Sequence, residues 1–141
     1  GKDMFYRFVA TDLTIHFICF ICFILIPTTN IRPEIAGNTI SEKLLALVYS
    51  LDGGRSPSNL FPSIHCYVSW KGVEGSEKVP KWYQRFSLVF AILIIISTQV
   101  LKQHYIVDAA AALLLVEFFW RFYQKGQRHK WVVHIFAHKK K

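Results

Sequence analysis

The chain has 141 residues, 52% of them hydrophobic and 16% aromatic against 18% charged, and its formal net charge is +8. That apolar excess excludes a disordered tail or a collagen-like strand, and three cysteines cannot build a secreted disulfide scaffold. The length suits one domain, residues 1–141, and the bunching of the apolar residues favours a membrane bundle over a soluble core.

The first apolar block runs from Phe5 to Ile26 with little charge, and as a helix it would measure about 33 Å, enough to cross a bilayer. It is too long for a signal peptide, and IPTTNIRPE follows it instead of a small-residue cleavage site. Because the chain opens on Gly1, it is expected to be a piece of a longer protein with further spans upstream. Pro27, Pro33 and Gly37 close the first helix, and Ser41–Leu51 reads as a short interfacial or re-entrant helix. Residues Asp52 to Pro62 form a loop by composition. A helix starting at Pro62 or Ser63 and ending near Gly72 would cover only about 15 to 20 Å.

Ser87–Leu101 holds no charge, and with Trp82 and Tyr83 as interfacial anchors it reaches spanning length. The third long candidate, Ile106–Tyr123, carries Asp108, Glu117 and Arg121, which predicts a place in the bundle interior. Residues 124–141 form a basic tail, and within it Lys130–Lys141 reads as a segment lying on the membrane surface. The expected fold is therefore an all-α integral membrane helical bundle crossing the bilayer several times.

Charge sets the orientation. Lys71, Lys78, Lys81 and Arg85 in one loop, and Arg121, Lys125, Arg128, Lys130 and Lys139 to Lys141 in the tail, predict two cytoplasmic ends. Between Pro27 and Phe61, Arg32, Lys43 and Arg55 balance Glu34, Glu42 and Asp52, so that loop should lie outside. Basic residues gathered at cytoplasmic ends point to anionic lipid headgroups as their partner and away from nucleic acid. Trp120, Phe122, Trp131 and Phe136 fit the same interfacial belt.

In that topology Arg32, Ser63, His65, Lys102, His104 and Asp108 come from separate segments to one outer level, the grouping a phosphate site needs. His104 and Asp108 are four apart, so on a helix begun by His104 the carboxylate would accept the Nδ1 proton and leave Nε2 free to attack. Arg32 offers a planar fork to phosphate oxygens, Lys102 a point charge, and Ser63 a hydroxyl with helix N-terminal amides. His65 suits a general acid for a departing alkoxide.

The blocks FPSIH at Phe61–His65 and STQVLKQHYIVD at Ser97–Asp108, preceded by Arg32-Pro33, resemble the type 2 phosphatidic acid phosphatase (PAP2) superfamily. That family's signatures are K-x6-R-P, P-S-x-H and S-R-x5-H-x3-D. The resemblance implies a PAP2-like bundle with His104 as the nucleophile forming a phosphohistidine and Asp108 orienting it. His65 would be the acid and then the base, with Arg32 and Ser63 on the phosphoryl oxygens. It implies no metal and no cofactor, and as substrate a lipid phosphate or an isoprenoid diphosphate, met at a site facing outward from a bacterial cell membrane. The chain departs from the signatures at Leu25, where the family has lysine, and at Thr98, where it has arginine. Lys102 can restore one positive charge, and Lys43 or Arg55 another. Such substitutions resemble a divergent bacterial branch and also lipid phosphotransferases of the wider superfamily. A non-catalytic membrane interaction protein that keeps the fold is the alternative from another class.

Other polar residues read more plainly. Asp12 and His16 repeat the four-residue spacing, but Asp12 lies 14 residues before Ile26, about 21 Å deeper, which predicts an interhelical contact or a cytoplasmic-side polar pair. Cys19 and Cys22 form a CxxC in an apolar helix without a basic neighbour and read as packing residues. Cys66 has no companion in metal-ligand spacing, so no zinc site is expected.

Overall fold

The structure, a computed structural model, describes residues 1–51, 58–125 and 128–137. The described residues form six helices and no strand: α1 (Lys2–Leu25), α2 (Ile40–Leu51), α3 (Ile64–Gly75), α4 (Lys81–Val100), α5 (Ile106–Gln124) and α6 (Lys130–Ala137). Arg55 and Lys139 to Lys141 lie outside the described residues.

Each helix has a local cause. Between Lys2 and Leu25 there is neither glycine nor proline, and Pro27 stops the run. Thr39 and Glu42 form a capping box for α2: Thr39 Oγ1 accepts from the Glu42 amide at 3.2 Å, and Glu42 Oε2 accepts from the Thr39 amide at 3.1 Å. Helix α3 starts at Ile64, one or two residues later than the sequence predicts. The cause is Ser63, whose extended backbone and side-chain oxygen, 3.3 Å from the Cys66 amide, make it the cap. The helix also runs past Gly72 to Gly75.

The core is a three-helix seam. Ile15 and Cys19 of α1, Cys66 and Tyr67 of α3, and Ala109, Ala112 and Val116 of α5 are buried together. The small residues Cys19, Cys66, Ala109 and Ala112 let the backbones approach closely. A second cluster joins Ala10, Tyr123 and Val132, seating α6 against the start of α1 and the end of α5. Helix α4 packs along α3 and buries only Ala91 and Thr98.

Helices α1 and α4 are long and apolar enough to cross a membrane, at 24 and 20 residues or about 36 and 30 Å. Both expose large apolar side chains, Phe17, Phe20 and Ile24 on α1 and Phe90, Leu93 and Ile96 on α4. The third predicted span forms as α5. It is not among the helices apolar enough to cross, because Asp108, Glu117 and Arg121 lie within its 19 residues.

One residue counted as a loop cation has moved inside. Lys71 belongs to α3, is buried, and pairs with Asp12 of α1. More ties lie at this end of the bundle. Glu77 accepts from Arg7 at 2.8 Å and from Trp120 Nε1 at 3.0 Å, and Glu117 accepts from Trp70 Nε1 at 3.1 Å and from Arg121 at 2.8 Å. His129 Nε2 is 2.7 Å from Asp3 Oδ1.

Candidate active site

At the opposite end three connections meet. Thr28 Oγ1, just past α1, accepts from the amides of Leu60 and Phe61 at 3.0 Å each, which ties that segment to the entry of α3. Asn30 Nδ2 donates to the Lys102 carbonyl at 2.7 Å, and Tyr105 Oη donates to Asn30 Oδ1 at 3.1 Å, which ties it to the link between α4 and α5. The Ser63 amide donates to the Asp108 carbonyl at 3.2 Å, joining the starts of α3 and α5.

Within this frame His104 is buried and held on both ring nitrogens. Nδ1 lies 3.0 Å from the Leu60 carbonyl and Nε2 lies 3.3 Å from His65 Nδ1. A carbonyl oxygen can only accept, so Nδ1 carries the proton and Nε2 presents its lone pair. His65 Nδ1 is then the donor in the bond between the two rings. The rings stand 5.5 Å apart, and His65 is exposed while His104 is covered.

Asp108 takes a different part from the one its spacing suggests. Helix α5 begins at Ile106, so His104 precedes the helix and the two residues do not share a helical face. Asp108 Oδ2 accepts from the Tyr105 amide at 2.8 Å as the return half of a capping box, and His104 Nδ1 is 3.6 Å from it, beyond hydrogen-bond length. The carboxylate therefore stands beside the imidazole as a neighbouring buried charge, and the Leu60 carbonyl accepts the hydrogen bond from Nδ1.

Lys102 closes α4. Its amide donates to the Gln99 carbonyl at 3.1 Å and the next amide, of Gln103, donates to the Thr98 carbonyl at 2.9 Å, the pattern of a Schellman motif. Its φ is +51°, the left-handed region that this position usually fills with glycine. A lysine held there costs on the order of 1 kcal/mol in backbone conformation, and the side chain stays exposed. Lys102 and His104 line one pocket of about 420 Å³ with Asn30, Gln99, Tyr105 and Ile106.

The remaining predicted site residues are less direct. Arg32 is wholly buried, its guanidinium 4.6 Å over the Tyr49 ring and its Nη1 3.5 Å from the Tyr49 carbonyl. Tyr49 Oη donates to the Leu101 carbonyl at 2.9 Å, so α2 and Arg32 are fastened to the same end of the bundle. The Ser63 hydroxyl is engaged as the α3 cap. Thr98, at the family's arginine position, is buried, donates to the Ile95 carbonyl and stands 3.8 Å from Cys66 Sγ. Lys43 is exposed on α2. Among the described residues no three His, Cys, Asp or Glu side chains gather as a metal-ligand set.

Several participants have no sequence signature. A backbone carbonyl such as that of Leu60 carries none, and Tyr49, Asn30 and Tyr105 are recognisable only once their loops are folded together. Comparison with protein families, curated proteins and solved structures finds no match to this chain.

Proposed function

We propose that the chain is a PAP2-like enzyme of a multi-pass membrane protein, hydrolysing a lipid phosphate or isoprenoid diphosphate through a phosphohistidine on His104. The observation that carries this reading is the His65–His104 pair, with Nδ1 of His104 pinned by the Leu60 carbonyl and Nε2 turned to His65. A phosphoryl group entering between the rings replaces their hydrogen bond. The Nε2 lone pair attacks the terminal phosphorus, the bond from that phosphorus to the bridging oxygen breaks, and the His65 imidazolium gives its proton to the departing oxygen, of an alkoxide from a monophosphate or of a monophosphate from a diphosphate. Neutral His65 then takes a proton from water, the water oxygen attacks phosphorus, and the N–P bond breaks to release phosphate. Asp108 stabilises the positive charge that develops on His104, and Lys102 meets the phosphoryl oxygens.

The left-handed backbone of Lys102 supports this role, since a cation kept where glycine is easier points to a use for its charge. The exposed apolar faces of α1 and α4 support a lipid substrate drawn from the bilayer. The site would face the outer side and the basic ends the cytoplasm.

The deciding experiment measures phosphate release from lipid mono- and diphosphates in detergent with EDTA, for the unaltered protein and for His104→Ala. An EDTA-resistant activity lost in the variant is the expected result. No release from either protein would sink the hydrolase. A second reading, transfer of the phosphoryl-linked group to an alcohol, is favoured by the room beside His104, since the pocket is far larger than one phosphate and is lined by two amides and a phenol. Capture of the group by an added alcohol distinguishes it. Vanadate, which imitates pentacoordinate phosphorus, should inhibit either enzyme but leave a non-catalytic protein unaffected.

A further inference from the structure

At the end of the bundle away from His104, the last turns of α5 and the residue that leads into α6 enclose a pocket of about 450 Å³ lined by Phe118, Phe122, Arg121, Lys125 and Arg128. Three cations therefore converge on one recess. The Arg128 guanidinium lies 4.5 Å over the Phe122 ring, which leaves the edge of its planar fork available for an anion. Arg121 is already joined to Glu117 through Nε at 3.1 Å and Nη2 at 2.8 Å, and Glu74 stands beside that pair, so the charge of Arg121 is answered where it lies. Lys125 and Arg128 form no ion pair with a described carboxylate. Phe118 and Phe122 stack nearly parallel, their planes 19° apart, and form the floor.

The apolar approach to the recess is as informative as its charge. Val107, Leu114 and Phe118 are exposed at 67%, 71% and 61%, and they lie along one side of α5, seven and then four residues apart. The stripe ends at the cations. From Leu114 to Lys125 the helix rises about 16 Å, comparable to an acyl chain lying against it. A free phosphate would use the cations and leave the apolar stripe without a purpose.

We infer that the Phe118–Arg128 recess binds one anionic phospholipid, with the headgroup phosphate between Lys125 and Arg128 and a chain along Phe118 and Leu114. The site is separate from the His104 chemistry, and it rests on the reading that the bundle, α5 included, is embedded in a membrane. It would hold a lipid of the leaflet opposite the catalytic end as a fixed part of the assembly.

The test uses the full chain in detergent, titrated with dioleoyl phosphatidylglycerol or dioleoyl phosphatidylcholine and observed by native mass spectrometry. One phosphatidylglycerol is expected to stay bound with clear preference over phosphatidylcholine. Lys125→Gln with Arg128→Gln should weaken it on the order of 30-fold, from about 1 kcal/mol per basic residue. Lys78→Gln with Lys81→Gln removes the same charge at the same end outside this recess and should leave it bound. Equal loss from both pairs would overturn the site in favour of diffuse attraction. Displacement of the lipid by millimolar inorganic phosphate would overturn the lipid as occupant. Should the double variant fail to fold, Phe118→Ser, at an exposed position, carries the test alone: unchanged retention there overturns the chain contact.

Discussion

The molecule contains two His–Asp pairs with the same spacing, Asp12 with His16 and His104 with Asp108, and their fates differ completely. The first lies within α1. Asp12 is neutralised by buried Lys71 of α3, and His16 lies half exposed with Nε2 2.7 Å from the Tyr67 hydroxyl. The second straddles a helix start. His104 is buried, anchored by a carbonyl on one nitrogen, and turned toward a second histidine with the other. Each pair also has a lysine at hand, and Lys71 spends its charge on Asp12, whereas Lys102 is exposed and forms no ion pair with a described carboxylate. Identical spacing in sequence thus yields a structural tie in one place and a candidate nucleophile in the other. The surroundings supplied by other segments decide which.

The largest expected effect breaks that comparison at its centre. His104→Ala should lower kcat by at least about 1,000-fold in the phosphate-release assay, while His16→Ala should leave it within about twofold. Similar losses from both would erase the distinction. Next comes His65→Ala, with a loss of roughly 100- to 10,000-fold for alkyl phosphates. Its sharper signature lies in the leaving group. An aryl phosphate, whose phenolate departs without a proton, should recover much of the first step and let phosphohistidine accumulate, detectable as acid-labile phosphate on the protein.

Breaking the structural pair should do the reverse. Asp12→Asn leaves Lys71 buried without its counter-charge, so the fold should lose about 3 kcal/mol, read as a lowered thermal midpoint in detergent. Activity per folded molecule should stay unchanged. Asp108→Asn sharpens the other side. The amide oxygen can still accept from the Tyr105 amide, so the cap survives and only the charge 3.6 Å from His104 is lost. A fall in kcat on the order of tenfold to a hundredfold with little change in thermal midpoint is expected. An unchanged kcat would mean that the Leu60 carbonyl alone orients the ring.

Much of this was legible in the sequence because apolar blocks and prolines punctuate it. The five longest helices fall where the blocks lie, Pro27 and Pro80 mark two of the boundaries, and the residues His65, His104 and Asp108 do converge. What was not legible depends on contacts between segments. The i,i+4 spacing of His104 and Asp108 suggested a shared helical face, but the capping bond at Tyr105 starts α5 after His104. Lys71 read as a loop cation because nothing in its neighbourhood announces Asp12, which is 59 residues earlier. Arg32 read as a fork for phosphate, yet it is wholly buried with its guanidinium over the Tyr49 ring, a placement that depends on how α2 folds back.

The smallest effect is the most discriminating, because two properties should move in opposite directions. The backbone of Lys102 is left-handed at φ +51°, a conformation glycine adopts freely, so Lys102→Gly should stabilise the fold by about 1 kcal/mol. If the ammonium meets the phosphoryl oxygens, the same substitution should raise KM roughly tenfold, the worth of one charge-assisted contact. Lys102→Ala separates the two causes, since it removes the charge and keeps the backbone cost, and it should raise KM without the gain in thermal midpoint. A more stable Lys102→Gly protein with unchanged KM would make this lysine only a cap. A joint rise in midpoint and KM means that the helix end carries conformational strain to hold a cation beside His104, a feature for which Lys71 at the opposite end has no counterpart.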